Sequence, residues 1–269
     1  QSTNDCVIVF RFKEPTMNTP ITRTTEKKSL LFLTISLIFC LHARVMAATV
    51  SPKDIIAKSD AKRGLQESFS MVANIEFIDG KEEKKSTYQI KAKDSVTSLV
   101  DQTEPERNRG RRLLMKGYDM WLFTPNIKRP VRVGMEQRLT GDVSNGDIAR
   151  TNLKDDYEPK IEGEEFVGKE DCYKMLLTAN NKNVTYSKIH IWISKKDFAP
   201  QKSIYYALSG KPLKTATFED YKMIDGLTRS TKMVIRDYLK KDRISVIVYS
   251  KHKKESFSDS LFNKDQMDF

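Results

Sequence analysis

The sequence predicts a mainly β fold, an unclosed antiparallel β-barrel (half-barrel) with a few helices as its lid or plug. From about residue 67 onward, β-branched and aromatic residues recur at every second position. Short turn signals such as Asn180-Asn181 and Asp225-Gly226 separate these runs and indicate antiparallel neighbours. About a dozen strands are too many for a flat open sheet, so twist should curl the sheet around a cavity. A β-sandwich with a dry core is the alternative.

Residues 17–47 are predicted to be a secretory signal peptide. Three basic residues precede an uncharged apolar run, Ser29 to Leu41, and the segment Val45-Met46-Ala47 then offers a signal-peptidase site. The apolar run has 13 residues, fewer than the roughly 20 that a membrane-spanning helix needs, so a retained anchor is the lesser alternative. A lipid on Cys40 is disfavoured because Phe39 occupies a position that normally holds a small residue.

Residues 48–269 are predicted to form one exported domain, and residues 1–16 an upstream extension with no structural role. The 222 residues from Ala48 suit a single domain with a sizeable core. They carry a net charge of about +8, against +11 for the whole chain. Cys172 is the one cysteine in this part, so an intramolecular disulfide within it is excluded.

Two helices are predicted from their caps. The first has Ser51 as its N-cap, Pro52 at the first helical position, Asp54 three residues past the cap and Gly64 as its stop. The second is a short helix after Ser144, capped with Asp147 and running through Ile148 to Leu153.

The strands follow from alternation and from the turns between them. The apolar pair Leu261-Phe262 closes the chain within Asp259–Asn263. Strands are predicted over Glu67–Asp79, Ser86–Lys93, Val96–Gln102, Arg112–Lys116, Asp119–Thr124, Lys160–Phe166, Tyr173–Ala179, Thr185–Ser194, Gln201–Leu208, Leu213–Met223, Leu227–Leu239 and Arg243–His252.

The sequence predicts no catalytic centre, no cofactor and no metal site. Neither His190 nor His252 has a cysteine or carboxylate at metal-ligand spacing, and zinc needs three or four such ligands. His190 is expected to be a half-exposed sheet residue, and Cys172 a buried sheet thiol without a histidine partner nearby in sequence. No nucleophile elbow, zinc-protease motif or phosphate-binding loop is present. A hydrolase with an unrecognised site is the alternative.

Two acidic segments invite a chemical interpretation and are better explained structurally. Glu162, Glu164 and Glu165 could form a carboxylate pair, but they are expected to solvate a strand face. The segment 141–147 resembles a calcium loop, yet its oxygens lack the 1, 3, 5 register and no glutamate follows at the twelfth position. A loop and helix cap is therefore predicted there.

Basic residues crowd two loops, and an exported protein has little access to nucleic acid, so no nucleic-acid partner is predicted. An anionic membrane surface or an acidic partner is the natural target of such patches, and a solvated turn is an equal alternative. The first loop holds Arg107, Arg109, Arg111 and Arg112, and the second holds Lys240, Lys241 and Arg243.

The segment Arg111–Val133, RRLLMKGYDMWLFTPNIKRPVRV, resembles the outer-membrane lipoprotein-sorting protein family, relatives of the periplasmic carrier LolA. Asp142–Ile148, Asp155-Asp156-Tyr157 and Met233–Asp237 support the resemblance in order and spacing. The resemblance implies an unclosed barrel with helices as a lid over an apolar cavity. It also implies a Gram-negative periplasm, and lipid or lipoprotein acyl chains as ligands. Related proteins work beside an inner-membrane transporter, and an outer-membrane acceptor would receive the ligand.

A carrier of this kind has a physical rationale. Each methylene kept from water is worth ~0.8 kcal/mol, so a chain of roughly 14 costs about 11 kcal/mol to expose, about eight decades in partition. A cavity supplies the missing solvent without any catalytic residue. The alternative is a periplasmic accessory or sensor domain that partners an inner-membrane transporter or signalling protein.

Alternation assigns the candidate cavity residues to strand faces. Met120 and Leu122 share one face, with Trp121 and Phe123 on the other. The candidate ligand-binding residues are Met120, Trp121, Leu122, Phe123, Tyr173, Met175, Leu177, Ile189, Ile191, Ile193, Met233 and Ile235.

Overall fold

The computed structural model describes residues 50–63, 68–125, 127–150, 152–207 and 209–267. The predicted signal peptide and upstream extension lie outside the described residues, as do Gly64, the predicted helix stop, and Glu67, the predicted start of the first strand.

Helix α1 (Pro52–Arg63) begins where its cap predicts. The Ser51 hydroxyl accepts a hydrogen bond from the Asp54 amide at 3.1 Å and donates to the Asp54 carboxylate at 2.8 Å. This arrangement satisfies an amide that the first turn leaves without a partner. Ile55 and Ile56 are fully buried, so one face of α1 packs into the core.

Within the described residues, thirteen strands form one sheet in which all neighbours are antiparallel. In chain order they are β1 (Phe69–Asp79), β2 (Glu82–Asp94), β3 (Thr97–Glu104), β4 (Arg112–Lys116), β5 (Asp119–Thr124), β6 (Ile127–Arg132), β9 (Tyr157–Val167), β10 (Glu170–Ala179), β11 (Lys188–Ser194), β12 (Pro200–Tyr206), β13 (Pro212–Ile224), β14 (Leu227–Asp237) and β15 (Arg243–Lys254). A separate small ladder pairs β7 (Arg138–Thr140) with β8 (Val143–Ser144).

The sheet curls without closing, which confirms the predicted half-barrel. Its order runs from β6 through β5, β4, β3, β2 and β1 to β15, and then down to β9. The end strands β6 and β9 do not pair with each other within the described ranges. Yet Met115 of β4 and Met175 of β10, near opposite ends of that order, belong to one buried cluster. The concave face therefore surrounds a single core.

Alternation along the strands decides which side chains reach that core. In β11, Ile189, Ile191 and Ile193 are buried in the cluster. His190 and Trp192, which alternate with these isoleucines, form hydrogen bonds to glutamates of β9 instead. This period-2 pattern is the signal that predicted the strand.

Two elements cover the concave face. Helix α1 contributes Ile55 and Ile56, and the segment between β6 and β9 contributes Met135, Val143 and Ile148 to the same cluster. The predicted hollow is thus largely occupied by the chain's own side chains, and the helices act as the plug that the sequence predicts.

The opposite face of the sheet carries a second cluster. Leu99, Leu114 and Phe123 are buried there against Phe262 and Met267 from the end of the described chain. The short 3-10 helix Asp259–Phe262 places the predicted apolar pair on this face. Two further 3-10 helices span Glu106–Asn108 and Lys264–Gln266.

The predicted second helix is wrong in its extent, because it is split into α2 (Asn145–Ala149) and α3 (Leu153–Asp156). The cap is right: Ser144 and Asp147 form a capping box. Helix α2 ends because Arg150 adopts an extended conformation, with φ −134° and ψ 135°. There its guanidinium reaches both the Asp156 carboxylate and the Gly117 carbonyl.

Strand boundaries differ from the prediction mainly where polar residues extend a strand. The bounds of β4 and β5 are confirmed, whereas β2 begins four residues before the predicted Ser86. The sequence did not predict β6, an exposed end strand containing Pro130, because it lacks apolar alternation. The short ladder of β7 and β8 is also absent from the prediction, since two or three residues carry no detectable period.

Candidate functional site

A cleft of about 330 Å³ opens at one end of the concave face, beside the C-terminal turn of α1. It lies within the range of small-molecule pockets, about 300–1,000 Å³. The described residues that line it are Lys62, Arg63, Met71, Asp147, Ile148, Pro200, Phe218, Lys222, Ile224, Arg229, Ser230, Thr231, Met233, Tyr249, Ser250, Lys251 and His252.

The floor of the cleft is apolar. Phe218, Met233 and Tyr249 come from the adjacent strands β13, β14 and β15, and Ile148 of α2 faces them. The Tyr249 hydroxyl is neutral at neutral pH, and burial raises its pKa further. An uncharged floor of this composition can hold a hydrocarbon group.

The rim of the cleft is basic. Lys62 and Arg63 end helix α1, Lys222 and Arg229 flank the β13–β14 hairpin, and Lys251 lies near the end of β15. Arg229 is held in place, because its Nη1 donates to the Ala61 carbonyl at 2.9 Å. The rim therefore presents positive charge to any molecule that enters.

Asp147 is the carboxylate among the described lining residues, and a buried lysine neutralises it. The Lys214 Nζ lies 2.6 Å from the Asp147 carboxylate and 2.6 Å from the Asp142 carbonyl oxygen. The Tyr186 hydroxyl donates to Asp147 at 2.7 Å, and burial raises the pKa of Tyr186 well above its usual value. This network fixes α2 over the concave face.

Asp60 attaches α1 to the neighbouring α3. Its Oδ2 accepts the Lys154 amide at 2.9 Å, and its Oδ1 has no hydrogen-bond partner within the described residues. The side chain is fully buried, and this burial raises the pKa of Asp60 to about 6. Arg63 opposes the shift but does not cancel it. At neutral pH the helix therefore carries a buried anion at a cost in stability.

This raised pKa predicts a pH-dependent stability. Asp60 binds its proton more tightly in the folded protein than in the unfolded chain. The stabilisation that comes from this proton is therefore lost as pH rises through about 6. Between about pH 5 and pH 7 the loss is about 1 kcal/mol. Urea denaturation of the wild type and of Asp60→Asn at both pH values measures it. From the lower to the higher pH, the free energy of unfolding of Asp60→Asn should rise by that amount relative to that of the wild type. If the difference between the two proteins is the same at both pH values, the raised pKa of Asp60 is contradicted.

Ten of the twelve candidate cavity residues lie on the concave face. Eight are buried in the main cluster, and Leu122 and Tyr173 pack against it. Trp121 and Phe123 lie apart from them in the second cluster, where the end of the chain covers them. This separation is the one that alternation predicts, since successive residues of β5 point to opposite faces. Ligand binding by the twelve residues stays a prediction. Of the twelve, Met233 lines the described part of the cleft.

Sequence reasoning missed most of the residues at the cleft. Lys251 and His252 belong to a basic run visible in the sequence, but nothing there places the run beside α1. Lys222 and Arg229 surround the predicted turn Asp225-Gly226, so their proximity to each other was detectable. The pairing of β15 with β1 was not detectable in the sequence, because it joins residues far apart in the chain.

A second, wider cleft of about 800 Å³ lies between the chain after β6 and the loop that joins β10 to β11. Polar residues such as Glu136, Asn181 and Asn183 line it. Val133, Met135 and Leu213 add apolar surface to it, and its charged residues, Arg132, Glu136 and Lys182, are of both signs. The cleft beside α1, whose rim is basic, is taken as the candidate site.

The other chemical candidates have structural roles. His190 contacts the Tyr206 hydroxyl at 2.9 Å and Glu162 at 3.0 Å on a partly exposed sheet face. Cys172 is buried, as predicted, and burial raises its thiol pKa to about 11. Among the described residues, no group of three or more histidine, cysteine or carboxylate side chains could hold a metal ion.

Residues of the predicted acidic face, and one residue of each basic loop, form ion pairs. Glu164 pairs with Lys195, and Glu165 lies 3.4 Å from the Lys174 ammonium. Arg109 pairs with Glu106 at 2.7 Å, and Arg243 with Asp142 at 2.9 Å. These contacts support a solvated strand face, as predicted. No helix in the described ranges has the length and apolar character needed to cross a membrane.

Comparison with known proteins places the chain in a structural context. A family model described as "Uncharacterized protein" matches residues 94–268. A LolA superfamily protein from Nitrosomonas europaea is 38% identical, with a TM-score of 0.77 over 81% of this chain and 100% of that one. No curated protein matches the sequence.

Two further crystal structures share the fold at lower identity. A DUF1329 family protein from Desulfovibrio piger is 23% identical, with a TM-score of 0.68 over 79% of this chain and 95% of that one. An outer membrane lipoprotein-sorting protein domain from Vibrio parahaemolyticus is 19% identical, with a TM-score of 0.70 over 80% of this chain and 97% of that one.

Proposed function

Because the chain belongs to the LolA superfamily, we propose that it is a periplasmic protein that binds lipid or lipoprotein acyl chains in the cleft beside α1. The observation that carries the proposal is the apolar floor of the cleft, formed by Phe218, Met233 and Ile148 at an open end of the curled sheet. Binding and release of an apolar chain require no covalent step, so no catalytic residue is part of the proposal.

The concave face beyond the cleft supports the same function. Met115, Met120, Met135 and Met175 lie in the cluster beneath α1 and α2, together with Met233 of the floor. Methionine is unbranched and polarisable, so a methionine-rich face can repack around chains of different shape. We propose that the cleft is the entrance to this face and that longer chains occupy it when α1 moves outward.

Helix α1 is suited to such movement because polar contacts hold much of its surface. Lys62 pairs with Asp197 at 3.2 Å, the Ala61 carbonyl accepts from Arg229, and Asp60 accepts from Lys154. Its apolar anchor consists of the two buried residues Ile55 and Ile56. An incoming acyl chain would replace the contacts of those two side chains with its own. An inner-membrane donor and an outer-membrane acceptor are the proposed partners, since a cavity alone gives transfer no direction.

A substitution at the edge of the floor tests the proposal. Ile224 lines the cleft and is partly exposed, so Ile224→Asp should leave the fold intact while placing a charge against the bound chain. We expect binding of the neutral apolar probe N-phenylnaphthylamine to weaken by about tenfold or more. Fluorescence titration measures this loss, and native mass spectrometry of the wild type should show co-purified lipid.

The matched control is Val248→Asp, on the opposite face of β15 from the buried Ile247. Val248 is 41% exposed, so a charge there should alter neither the fold nor the binding of the probe. Circular dichroism checks that both variants are folded. Equal binding by both variants, or no binding by the wild type, contradicts an apolar site in this cleft.

A further inference from the structure

We propose that the ligand carries an anionic head group, a phosphate or a carboxylate, which Arg63, Lys222 and Lys251 bind at the mouth of the cleft. The inference rests on the proposed function, because it assigns the head of a molecule whose apolar chain occupies the floor. Its basis is the charge of the rim, the packing of Arg63 and the backbone of β15.

The ion pairs around the cleft leave unbalanced positive charge at its mouth. Lys62 is paired with Asp197 at 3.2 Å, and Asp147 is paired with Lys214 at 2.6 Å. In contrast, Arg63, Lys222 and Lys251 form no ion pair with any carboxylate of the described chain. Three cations that face one opening without a direct ion pair attract an anion and repel one another.

Arg63 lies where the rim meets the floor. Its guanidinium stands 5.9 Å from the centre of the Phe218 ring, which forms part of the apolar floor. A guanidinium at this boundary can bind the oxygens of a carboxylate or phosphate while the attached chain continues over the ring. The position matches the junction between the head and the tail of an amphiphile.

A β-bulge turns Lys251 toward the same opening. In the pairing of β1 with β15, Ser70 aligns with Lys253 and Val72 with Ser250, so Lys251 and His252 together oppose Met71. Lys251 adopts a φ of 53°, a left-handed conformation that is unfavourable for a residue with a side chain. Bulges redirect side chains near functional sites. Here Lys251, His252 and Met71 all line the cleft.

The spacing of polar and apolar groups favours an amphiphile over a small free anion. A free phosphate would use the basic rim alone and would leave the floor of Phe218, Met233 and Tyr249 exposed to water. A neutral lipid would use the floor alone and would leave the three cations without a bound anion. An acyl chain with an anionic head satisfies both surfaces.

The experiment compares ligands that share one acyl chain and differ in the head group. Monoacylglycerol supplies a neutral head, the free fatty acid a carboxylate and lysophosphatidylglycerol a phosphate. Each displaces N-phenylnaphthylamine from the full chain at low ionic strength. We expect at least one anionic ligand to bind about tenfold more tightly than monoacylglycerol, and the difference to shrink at high salt.

The double variant Lys222→Gln/Lys251→Gln should lower the affinity for the anionic ligand to that for monoacylglycerol and leave monoacylglycerol binding unchanged. The matched control, Lys81→Gln/Lys241→Gln, removes the same charge from exposed lysines in the β1–β2 and β14–β15 turns and should bind like the wild type. Arg63→Gln should likewise weaken binding of the anionic ligand more than binding of monoacylglycerol.

Each outcome has a separate meaning. Tighter binding of the fatty acid alone assigns a carboxylate, and tighter binding of lysophosphatidylglycerol alone assigns a phosphate; both support the inference. Equal affinity for all three ligands, or an equal effect of the control variant, overturns the head-group assignment while the proposed acyl site stands. Failure of all three to displace the probe contradicts the proposed function itself.

Discussion

Replacing Arg150 with alanine is expected to lower the free energy of unfolding by about 3–5 kcal/mol, because it leaves the buried Asp156 carboxylate without its partner. Both side chains are 5% exposed. The guanidinium binds the carboxylate through two hydrogen bonds, of 2.7 Å from Nε and 2.6 Å from Nη2. Its Nη1 donates to the Gly117 carbonyl at 2.8 Å, and its Cζ lies 4.6 Å from the centre of the Tyr118 ring.

The contacts of Arg150 also explain why its replacement should destabilise more than one element of the fold. The Tyr118 hydroxyl donates to Asp156 at 2.9 Å, so the β4–β5 turn, α3 and the start of β9 meet at this one ion pair. Within the described residues, neither β4 nor β5 pairs directly with β9, which lies at the other end of the strand order. Removal of Arg150 therefore loosens the attachment between the two ends of the curled sheet.

Urea denaturation of Arg150→Ala, Asp156→Ala and the double variant measures the coupling of the pair. The double variant should be less destabilised than the sum of the single variants, because it leaves no buried charge behind, whereas each single variant does. Arg138→Ala is the control, since Arg138 is 62% exposed and lies 3.6 Å from Asp142. A surface pair of this kind is worth about 0–1 kcal/mol. Equal destabilisation by Arg138→Ala and Arg150→Ala contradicts the structural role of the buried pair.

Lys214→Met is expected to destabilise the protein by about 3–5 kcal/mol for a related reason. Lys214 is 5% exposed, and its ammonium neutralises Asp147 while donating to the Asp142 carbonyl. Methionine preserves most of the apolar packing of the lysine chain but leaves the carboxylate of Asp147 unpaired. The N-terminal cap of α2 depends on that carboxylate, which accepts the Ser144 amide at 2.8 Å.

A second substitution separates the effect of the charge of residue 214 on stability from the effect of its shape. Adding Asp147→Asn to Lys214→Met removes the uncompensated anion, and we expect it to restore part of the lost stability. Lys211→Met, at an exposed position just before β13, is the control and should have little effect. Identical losses in the single and double variants contradict the electrostatic explanation.

The local features of this fold were predictable because they depend on short-range chemistry. The Ser51 and Ser144 caps, the bounds of β4 and β5, and the faces of β11 follow from neighbouring residues alone. Alternation also separated Met120 and Leu122 from Trp121 and Phe123, and the structure places these two pairs in different clusters.

The cleft itself was not predictable, because it depends on contacts between distant segments. Nothing near Phe123 in the sequence indicates that Phe262 covers it. The bulge at Lys251 exists only in register with β1, and the split between α2 and α3 depends on the contact of Arg150 with Gly117. Periodicity assigns a residue to a face, but only long-range packing decides whether that face is filled, covered or left open.

The burial of Cys172 gives the domain a practical property. Its thiol lies inside the sheet with a pKa of about 11, so almost none of it is the reactive thiolate at neutral pH. No other cysteine occurs in residues 48–269. A maleimide dye or spin label should therefore react with a single cysteine introduced at a chosen surface position and leave the native thiol of Cys172 unmodified.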